Sequence, residues 1–399
     1  MTVPSLAIAV VGTPNRAAFA DAMLTGLHEG LRKNGVDSHL FLLSRDKEAA
    51  KIHAFFEDRE VAGGNLFLVD INGNFNLPLS PGKPTKMRFS FLIDHPFYHL
   101  HKFIDYPAPM TAGMIDVTHL SALADIGVNV PTVFFPHAGP DPCPDRSPLK
   151  DRDIDVLFCG NISPLVFTEI FNRRLGELPE KCRGIVGWAI ERVLDAGSDV
   201  YNALKTSCRE QSDSRLEDYP LRTLRGMLSL IESFAAGKLR LKYLKELLKL
   251  ENRSVHIVGN IGEIIDQAGI EAPGSNVRFH DHLSFNEVVR MIRRTRLLVN
   301  ANFTIVGGSH ERIWQGMAGG CATLTNESVF VRSCFEDGKH ILFLPRHAGD
   351  LADLISSHLD RPRDLQAMAD SALRLYAENH TWRQRVKTIV DLFEEAARS

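Results

Sequence analysis

The feature that most constrains this chain is an alternation that runs twice. Short apolar runs of strand length alternate with helical stretches from Leu6 to Phe135, a proline-rich charged segment follows, and the alternation begins again near Asp155. Apolar strands separated by helices pack as a parallel, doubly wound sheet with helices on both faces. In the first half the apolar runs predict strands over 6–12, 38–43, 66–71, 89–93, 111–115 and 132–135. A helix over 17–33 puts Phe19, Met23, Leu27 and Leu31 on one stripe. Residues 139–153, GPDPCPDRSPLKDRD, carry four prolines and many charges, the composition of a linker. They separate a first Rossmann-like domain over 1–145 from a second over 150–378.

The second half predicts strands at 155–159, 255–259, 277–280, 297–301, 322–325 and 341–344. Between the first two of these, residues 164–250 hold almost no strand signal, and Leu239, Tyr243, Leu244, Leu247 and Leu248 fall on a helical stripe. This predicts a long helical insertion, with a surface for homo-oligomer contacts or acceptor-protein recognition. Helices over 284–294, 347–359, 362–378 and 383–397 complete the pattern. The expected architecture is α/β, with two similar domains facing a cleft. In open α/β sheets ligands bind beyond the carboxyl ends of the strands, so the chemistry is sought there.

Composition narrows the class of function. With 44% apolar and 24% charged residues the chain reads as soluble and globular, and a net charge of -3 gives no nucleic-acid footprint. No apolar run reaches membrane-spanning length. The N-terminus MTVPSLAIAVVGT has no basic flank, so it reads as a first strand rather than a leader. Six scattered cysteines, with no Cys-x-x-Cys pair, fit a reduced cytoplasmic protein.

The stretch Gly307–Asn326, GGSHERIWQGMAGGCATLTN, reads as a loop, a helix stopped by Gly319-Gly320 and a short strand. Backbone N–H groups and the dipole at such a helix start favour a phosphate. Ser309 and His310 sit at that start, Arg312 adds a charge-assisted contact, and Glu311 offers a carboxylate to sugar hydroxyls. Asn300 and Asn302 end the preceding strand, and Gly160 and Asn161 follow the first strand of the second half. An ordinary helix start explains part of this pattern, with Ser309 as N-cap and Glu311 complementing the dipole.

In the first half, Asp94 and His95 end a strand and suit a base for an acceptor hydroxyl. Asp94 also suits a cap for a helix starting at Pro96. His137 ends the last strand of that domain, as a third catalytic candidate or a packed residue. Metal is not expected: His280-Asp281-His282 lacks further ligands at suitable spacing, and Asp153-Ile154-Asp155 precedes a buried strand. A Gly-x-x-x-x-Gly-Lys-Ser/Thr loop is absent, and Gly12-Thr13-Pro14-Asn15 is not the Gly-x-Gly-x-x-Gly of a nicotinamide site.

On these residues the chain resembles glycosyltransferases of the GT-B fold, and within them the spore-maturation-protein-like (CgeB-type) family. The matching pieces are 153–160, Glu311 through Gly320, 94–97, Leu120 with Pro136-His137-Ala138, and His380-Thr381-Trp382-Arg383 with Arg385-Val386. The resemblance implies a bacterial, cytoplasmic enzyme without cofactor or essential metal. It would move a sugar from a nucleotide sugar, UDP- or GDP-linked, to a hydroxyl of a glycan, protein or small molecule. The second domain would hold the donor and the first the acceptor, with 380–399 a helix crossing back to the first domain. Aligned on Met-Ala-Gly-Gly, the two positions where many relatives carry Glu hold Gly307 and Gln315. Gln315 still offers a ribose hydroxyl both donor and acceptor. If the reaction inverts the anomeric centre, His95 or Asp94 is the base; if it retains, both become acceptor contacts. Two other readings stay open: a sugar-nucleotide epimerase, and a catalytically degenerate relative acting in binding or assembly.

Overall fold

The computed structural model describes the chain apart from residues 1–5, 13–17, 44–50, 53, 56–64, 76–86, 103–108, 271–273, 282, 346 and 399. The chain divides into two compact units, Met1–Asp141 with Glu378–Ser399, and Pro142–Ala377.

The first unit is built on β1 (Leu6–Gly12), β2 (Asp37–Leu42), β3 (Asn65–Ile71), β4 (Met87–Leu92), β5 (Met110–Met114) and β6 (Thr132–Phe134). They form one sheet in the order β2-β1-β3-β4-β5-β6, with every pairing parallel. All seven residues of β1 are buried, as expected of a strand covered on both faces. In the helix Ala18–Lys33, Met23, Leu24, Leu27 and Leu31 are buried, whereas Phe19 is 37% exposed and leaves the expected inner stripe at the first turn.

The C-terminal segment belongs to this unit. The expected single helix over 383–397 is two helices, Trp382–Arg385 and Lys387–Arg398. A Cβ at Gly26 would run into the Trp382 indole, and one at Gly30 would lie 2.8 Å from the Trp382 carbonyl oxygen. Two glycines one turn apart therefore let the tail settle against the helix. Phe393 closes the other end by stacking on Phe67 of β3 at 4.4 Å.

The second unit is built on β7 (Ile154–Cys159), β8 (Val255–Val258), β9 (Val277–His280), β10 (Thr295–Asn300), β11 (Ala322–Thr325) and β12 (Leu342–Phe343). This sheet is also parallel, in the order β12-β11-β10-β7-β8-β9. The chain winds outward from β7 through β8 to β9, then returns to β10 on the other side of β7. The strand order reverses between β7 and β10, and their carboxyl ends diverge into a crevice suited to a ligand. Between β7 and β8 lie the helices Thr168–Gly176, Glu180–Ala196, Val200–Ser212 and Leu221–Leu247. Tyr243, Leu244 and Leu247 of the last pack on Val156, Phe158, Leu297 and Val299 of the central strands. The two aspartates of 153–155 are taken by ion pairs, Asp153 with Arg294 and Asp155 with Arg296 at 2.6 Å.

Candidate functional site

The turn after β7 is fixed by amide side chains. Asn161 Oδ1 accepts from the Asn260 backbone N–H at 3.1 Å, and Asn260 Oδ1 accepts from Ile162 N–H at 3.0 Å. The glycine that this geometry demands is Gly259, with φ +133° and no room for a Cβ beside the Gly160 carbonyl. Gly160 itself is not under that pressure, since a Cβ there would only touch the Phe158 ring at 3.6 Å. Sequence reasoning missed Gly259 because nothing in the local pattern reports a positive φ.

Across the crevice, β10 ends in Asn300, which is 1% exposed and donates from Nδ2 to Thr325 Oγ1 at 3.0 Å. Its Oδ1 is buried with no hydrogen-bond partner among the described residues. A buried acceptor left unpaired costs roughly 1–3 kcal/mol, so this oxygen is a natural contact for an O–H or N–H from outside the chain. Asn302 is committed locally instead, its Oδ1 accepting from Thr304 Oγ1 at 2.8 Å.

One side chain joins the two strand ends. Arg240, on the helix Leu221–Leu247, donates from Nε to the Ala301 carbonyl at 2.8 Å and from Nη1 to the Asn161 carbonyl at 2.9 Å. Burial, then the charge of Arg312, push its pKa down to about 10. Sequence reasoning missed Arg240, which sits inside the insertion and reaches the site only through the fold.

Arg312 lies in the helix Glu311–Ala318, whose two ends are both well specified. At the C-terminus Cys321 N–H bonds Gly316 C=O and Gly320 N–H bonds Met317 C=O, each at 3.0 Å, with Gly320 at φ +67°. That pair of bonds around a left-handed glycine is the Schellman stop expected of Gly319-Gly320. A Cβ at Gly316 would press on Leu298 at 2.8 Å and Thr323 at 2.9 Å, so the helix lies flush on β10 and β11. At the N-terminus the cap is His310, not Ser309. Ser309 Oγ is turned inward, accepting from Trp314 Nε1 at 3.2 Å.

His310 Nδ1 stands 2.8 Å from Glu311 Oε2 and 3.3 Å from the Arg312 N–H. Burial holds the His310 pKa down, and the charge of Arg312 lowers it further although Glu311 raises it. Glu311 is thus pinned by His310, while the Arg312 guanidinium meets it only at 3.9 Å. Gln315, partly buried, lies one turn further along the same helix. Gly160, Asn161, Asn300, Arg312 and the unforeseen Arg240 therefore gather at the β7/β10 switch point. The cluster holds two guanidinium groups against one carboxylate, an environment for an anion.

In the first unit the candidates gather at the carboxyl ends of β3, β4, β5 and β6. Buried Asp70 accepts from Arg88, from Ser90 at 2.7 Å and from Phe75 N–H at 2.9 Å, fixing the turn that carries Asn72. Asn72 Nδ2 donates to Asp94 Oδ2 at 2.9 Å, and His99 Nε2 lies 2.9 Å from the same oxygen. Asp94 does not cap the 3-10 turn Pro96–Tyr98; His95 does, its Nδ1 accepting from Phe97 N–H at 3.3 Å. Burial raises the Asp94 pKa, but the bonds from His99 and Asn72 and the charges of His99 and His137 outweigh it and hold the carboxyl below its usual value.

His95 is 7% exposed and edge-on to His119 at 4.6 Å. Burial, then the charges of His119 and His99, hold its pKa well below the usual histidine value. His137 is 3% exposed and packs edge-on to Phe91 at 5.4 Å. Asn72, His99 and His119 were not singled out from the sequence; each follows a strand end by a few residues, which was the available signal. Elsewhere, His280 stacks on His256 at 3.0 Å between ring nitrogens. His282 and Thr13-Pro14-Asn15 lie outside the described residues. No group of three His, Cys, Asp or Glu able to hold a metal occurs among the described residues, and no described helix is long and apolar enough to cross a membrane.

Two six-stranded parallel sheets with flanking helices are the architecture of GT-B glycosyltransferases. The chain is similar to a glycosyltransferase from Rickettsia africae, with TM-score 0.54 and 10% identity over 99% of both chains. It is similar to a sucrose-phosphate synthase from Thermosynechococcus elongatus, with TM-score 0.52 and 10% identity over 99% of this chain and 100% of that one. A family model described as glycosyl transferase-like matches residues 240–391, a span that holds Arg240, Arg312 and the whole helix between them and β11. Among curated proteins no sequence matches. The fold is that of GT-B glycosyltransferases, and residues 240–391 carry the glycosyl transferase-like match.

Proposed function

We propose that the protein transfers a sugar from a nucleotide-sugar donor to an acceptor hydroxyl, with the donor diphosphate at the β7/β10 switch point. The observation that carries this reading is the arginine pair. Arg240 spans the two strand ends at 2.8 and 2.9 Å, and Arg312 projects from the helix start beside it, its one ionic contact among the described residues lying 3.9 Å away at a carboxylate. Two guanidiniums in one half-buried crevice repel, and a diphosphate relieves that repulsion while accepting from both forks. Their combined charge performs the neutralisation that other transferases leave to a divalent cation, so the proposed reaction needs no metal.

Gln315 and Glu311, one turn apart on the same helix, suit the ribose, and the orphaned Asn300 Oδ1 suits a hydroxyl or N–H of the donor. UDP- and GDP-sugars are the proposed donors. Asp94 and the histidines around it form the acceptor-side group. Within GT-B enzymes we place the chain with the spore-maturation-protein-like family, on the residues that carry the resemblance, and in the cytoplasm on its cysteine usage.

The test is nucleotide release from a panel of UDP-, GDP-, ADP-, CMP- and dTDP-sugars, with and without EDTA. The proposal expects release from one donor class, unaffected by EDTA and lost in Arg312→Ala. No release from any donor, or release abolished by EDTA and restored by a divalent cation, would refute it.

A further inference from the structure

The helical insertion of the second unit carries a face with no part in the donor site. The helix Glu180–Ala196 buries Ile185, Val186 and Ala189 and packs against the helices Val200–Ser212 and Leu221–Leu247. Trp188 lies on its other side, 47% exposed, whereas Trp314 and Trp382 are buried. Trp188 has no ring contact or side-chain hydrogen bond among the described residues. At about 3.6 residues per turn, Glu180, Gly184, Gly187, Glu191 and Asp195 all fall within about 100° of Trp188, on one flank of it. All but Gly187 are exposed. A Cβ at Gly184 or Gly187 would meet no packed neighbour within 4 Å, so the fold requires neither glycine. At Gly237, in contrast, a Cβ would strike Val166, and the glycine lets that helix pack closely. Glycine inside a helix is destabilising relative to alanine. Two bare positions that the packing does not use, beside an indole half in solvent, open the flank of the ring to a group from outside the chain.

The charges choose the occupant. Glu180, Glu191 and Asp195 make no ion pair or side-chain hydrogen bond among the described residues. The cations bordering them are engaged elsewhere, Lys181 over the Tyr219 ring at 4.8 Å and Arg192 with Glu210. An aromatic ring among unpaired carboxylates attracts a cation to its face. A second copy of the same face would set carboxylate against carboxylate, and an anionic lipid surface would be repelled. Glu180 and Asp195 lie about 22 Å apart along the helix axis, further than one small cation reaches. An extended chain places alternate side chains on one face about 7 Å apart, which suits several cations in a row. We propose that this face is a docking surface for a basic segment of a partner protein, with a Lys or Arg of that segment seated on Trp188. Glu180, Glu191 and Asp195 take its further cations, and the surface lies wholly within the second unit, independent of the donor site.

The experiment titrates the full chain with hexa-arginine and hexalysine amides, and with hexaglutamate and maltohexaose in parallel, reading indole fluorescence and heat. Saturable binding of the basic peptides is expected, weakening about tenfold between about 0.05 and about 0.3 M salt. Trp188→Ala is expected to weaken it about tenfold or more, and Glu191→Gln with Asp195→Asn by a similar factor. Gly184→Gln and Gly187→Gln are expected to weaken binding while raising the midpoint of thermal unfolding, two signs that a purely structural role would not combine. Absence of saturable binding overturns the proposal, as does binding to Trp188→Ala within a factor of two of the native protein. Binding of maltohexaose in place of the peptides overturns it in favour of a saccharide platform. Self-association lost in Trp188→Ala overturns it in favour of a second copy of the chain. A lowered midpoint in both glycine variants overturns it by making those glycines a requirement of the fold.

Discussion

Replacing Arg312 with alanine separates a ligand residue from a structural one, because the structure gives opposite signs for the two. Among the described residues the guanidinium has a single ionic contact, 3.9 Å from Glu311, on a side chain 24% exposed. Such a pair contributes between zero and about 1 kcal/mol. Against it stands repulsion from Arg240, whose pKa the Arg312 charge lowers after burial has done so. The two effects offset, so Arg312→Ala is expected to change unfolding free energy by less than about 0.5 kcal/mol. That is a shift of less than about 2 °C for a unit of this size. A charge-assisted hydrogen bond to a diphosphate contributes about 1.5–3 kcal/mol, so the nucleotide Kd should rise about 10- to 150-fold. The assay is calorimetric titration of the nucleotide together with thermal unfolding of the unliganded protein. A large drop in stability with unchanged affinity would refute the reasoning, since it would make Arg312 a scaffold residue.

Three further outcomes follow from the same geometry. Gly259→Ala places a Cβ against the Gly160 carbonyl at φ +133°; we expect a loss of about 3 kcal/mol or more by urea unfolding and weaker nucleotide binding, and a neutral substitution would contradict the close approach. Gly26→Ala, which in an exposed helix would stabilise by about 0.5–1 kcal/mol, is expected to destabilise here because Trp382 fills the space; a raised Tm would refute the docking of the tail. Burial, then the charges of His280 and two arginines, push the His256 pKa down to about 4, and burial with Arg385 does the same for His380. Both folded-state values lie below the ordinary 6.5, so the unfolded chain binds more protons between them and stability falls as pH drops from about 6.5 to about 4. Urea midpoints that stay level across that window would contradict this burial.

The strands were legible because a parallel sheet covered on both faces leaves apolar runs, as in LAIAVVG of β1 and IDVLFC of β7. Their carboxyl ends were less so. Isoleucine or alanine just past a strand, as at Ile93, Ile115 and Ala301, continues the apolar pattern after the ladder has ended. The split of the terminal helix at Val386 left no mark, because no glycine or proline stands there. Ser309 has the side chain of an N-cap, but Trp314 needs its hydroxyl, and a tertiary hydrogen bond overrides the local preference.

Of the candidate site, the residues adjacent to strand ends could be found, because a parallel sheet gathers such residues along one edge. Arg240 could not. Its partners Asn161 and Ala301 lie 79 and 61 residues away along the chain, and only the crossing of a 27-residue helix over the switch point brings them together. His99 follows a strand end, but its pairing with Asp94 five residues away across a 3-10 turn has no sequence signature.

The central claim, that the β7/β10 switch point of the second unit holds the donor diphosphate, is tested most directly by a crystal structure with the nucleoside diphosphate that binds best. The account predicts diphosphate oxygens within hydrogen-bond distance of both Arg240 and Arg312, with the nucleoside directed toward Gln315 and Asn300. Diphosphate bound elsewhere, with the two guanidiniums untouched, would contradict it.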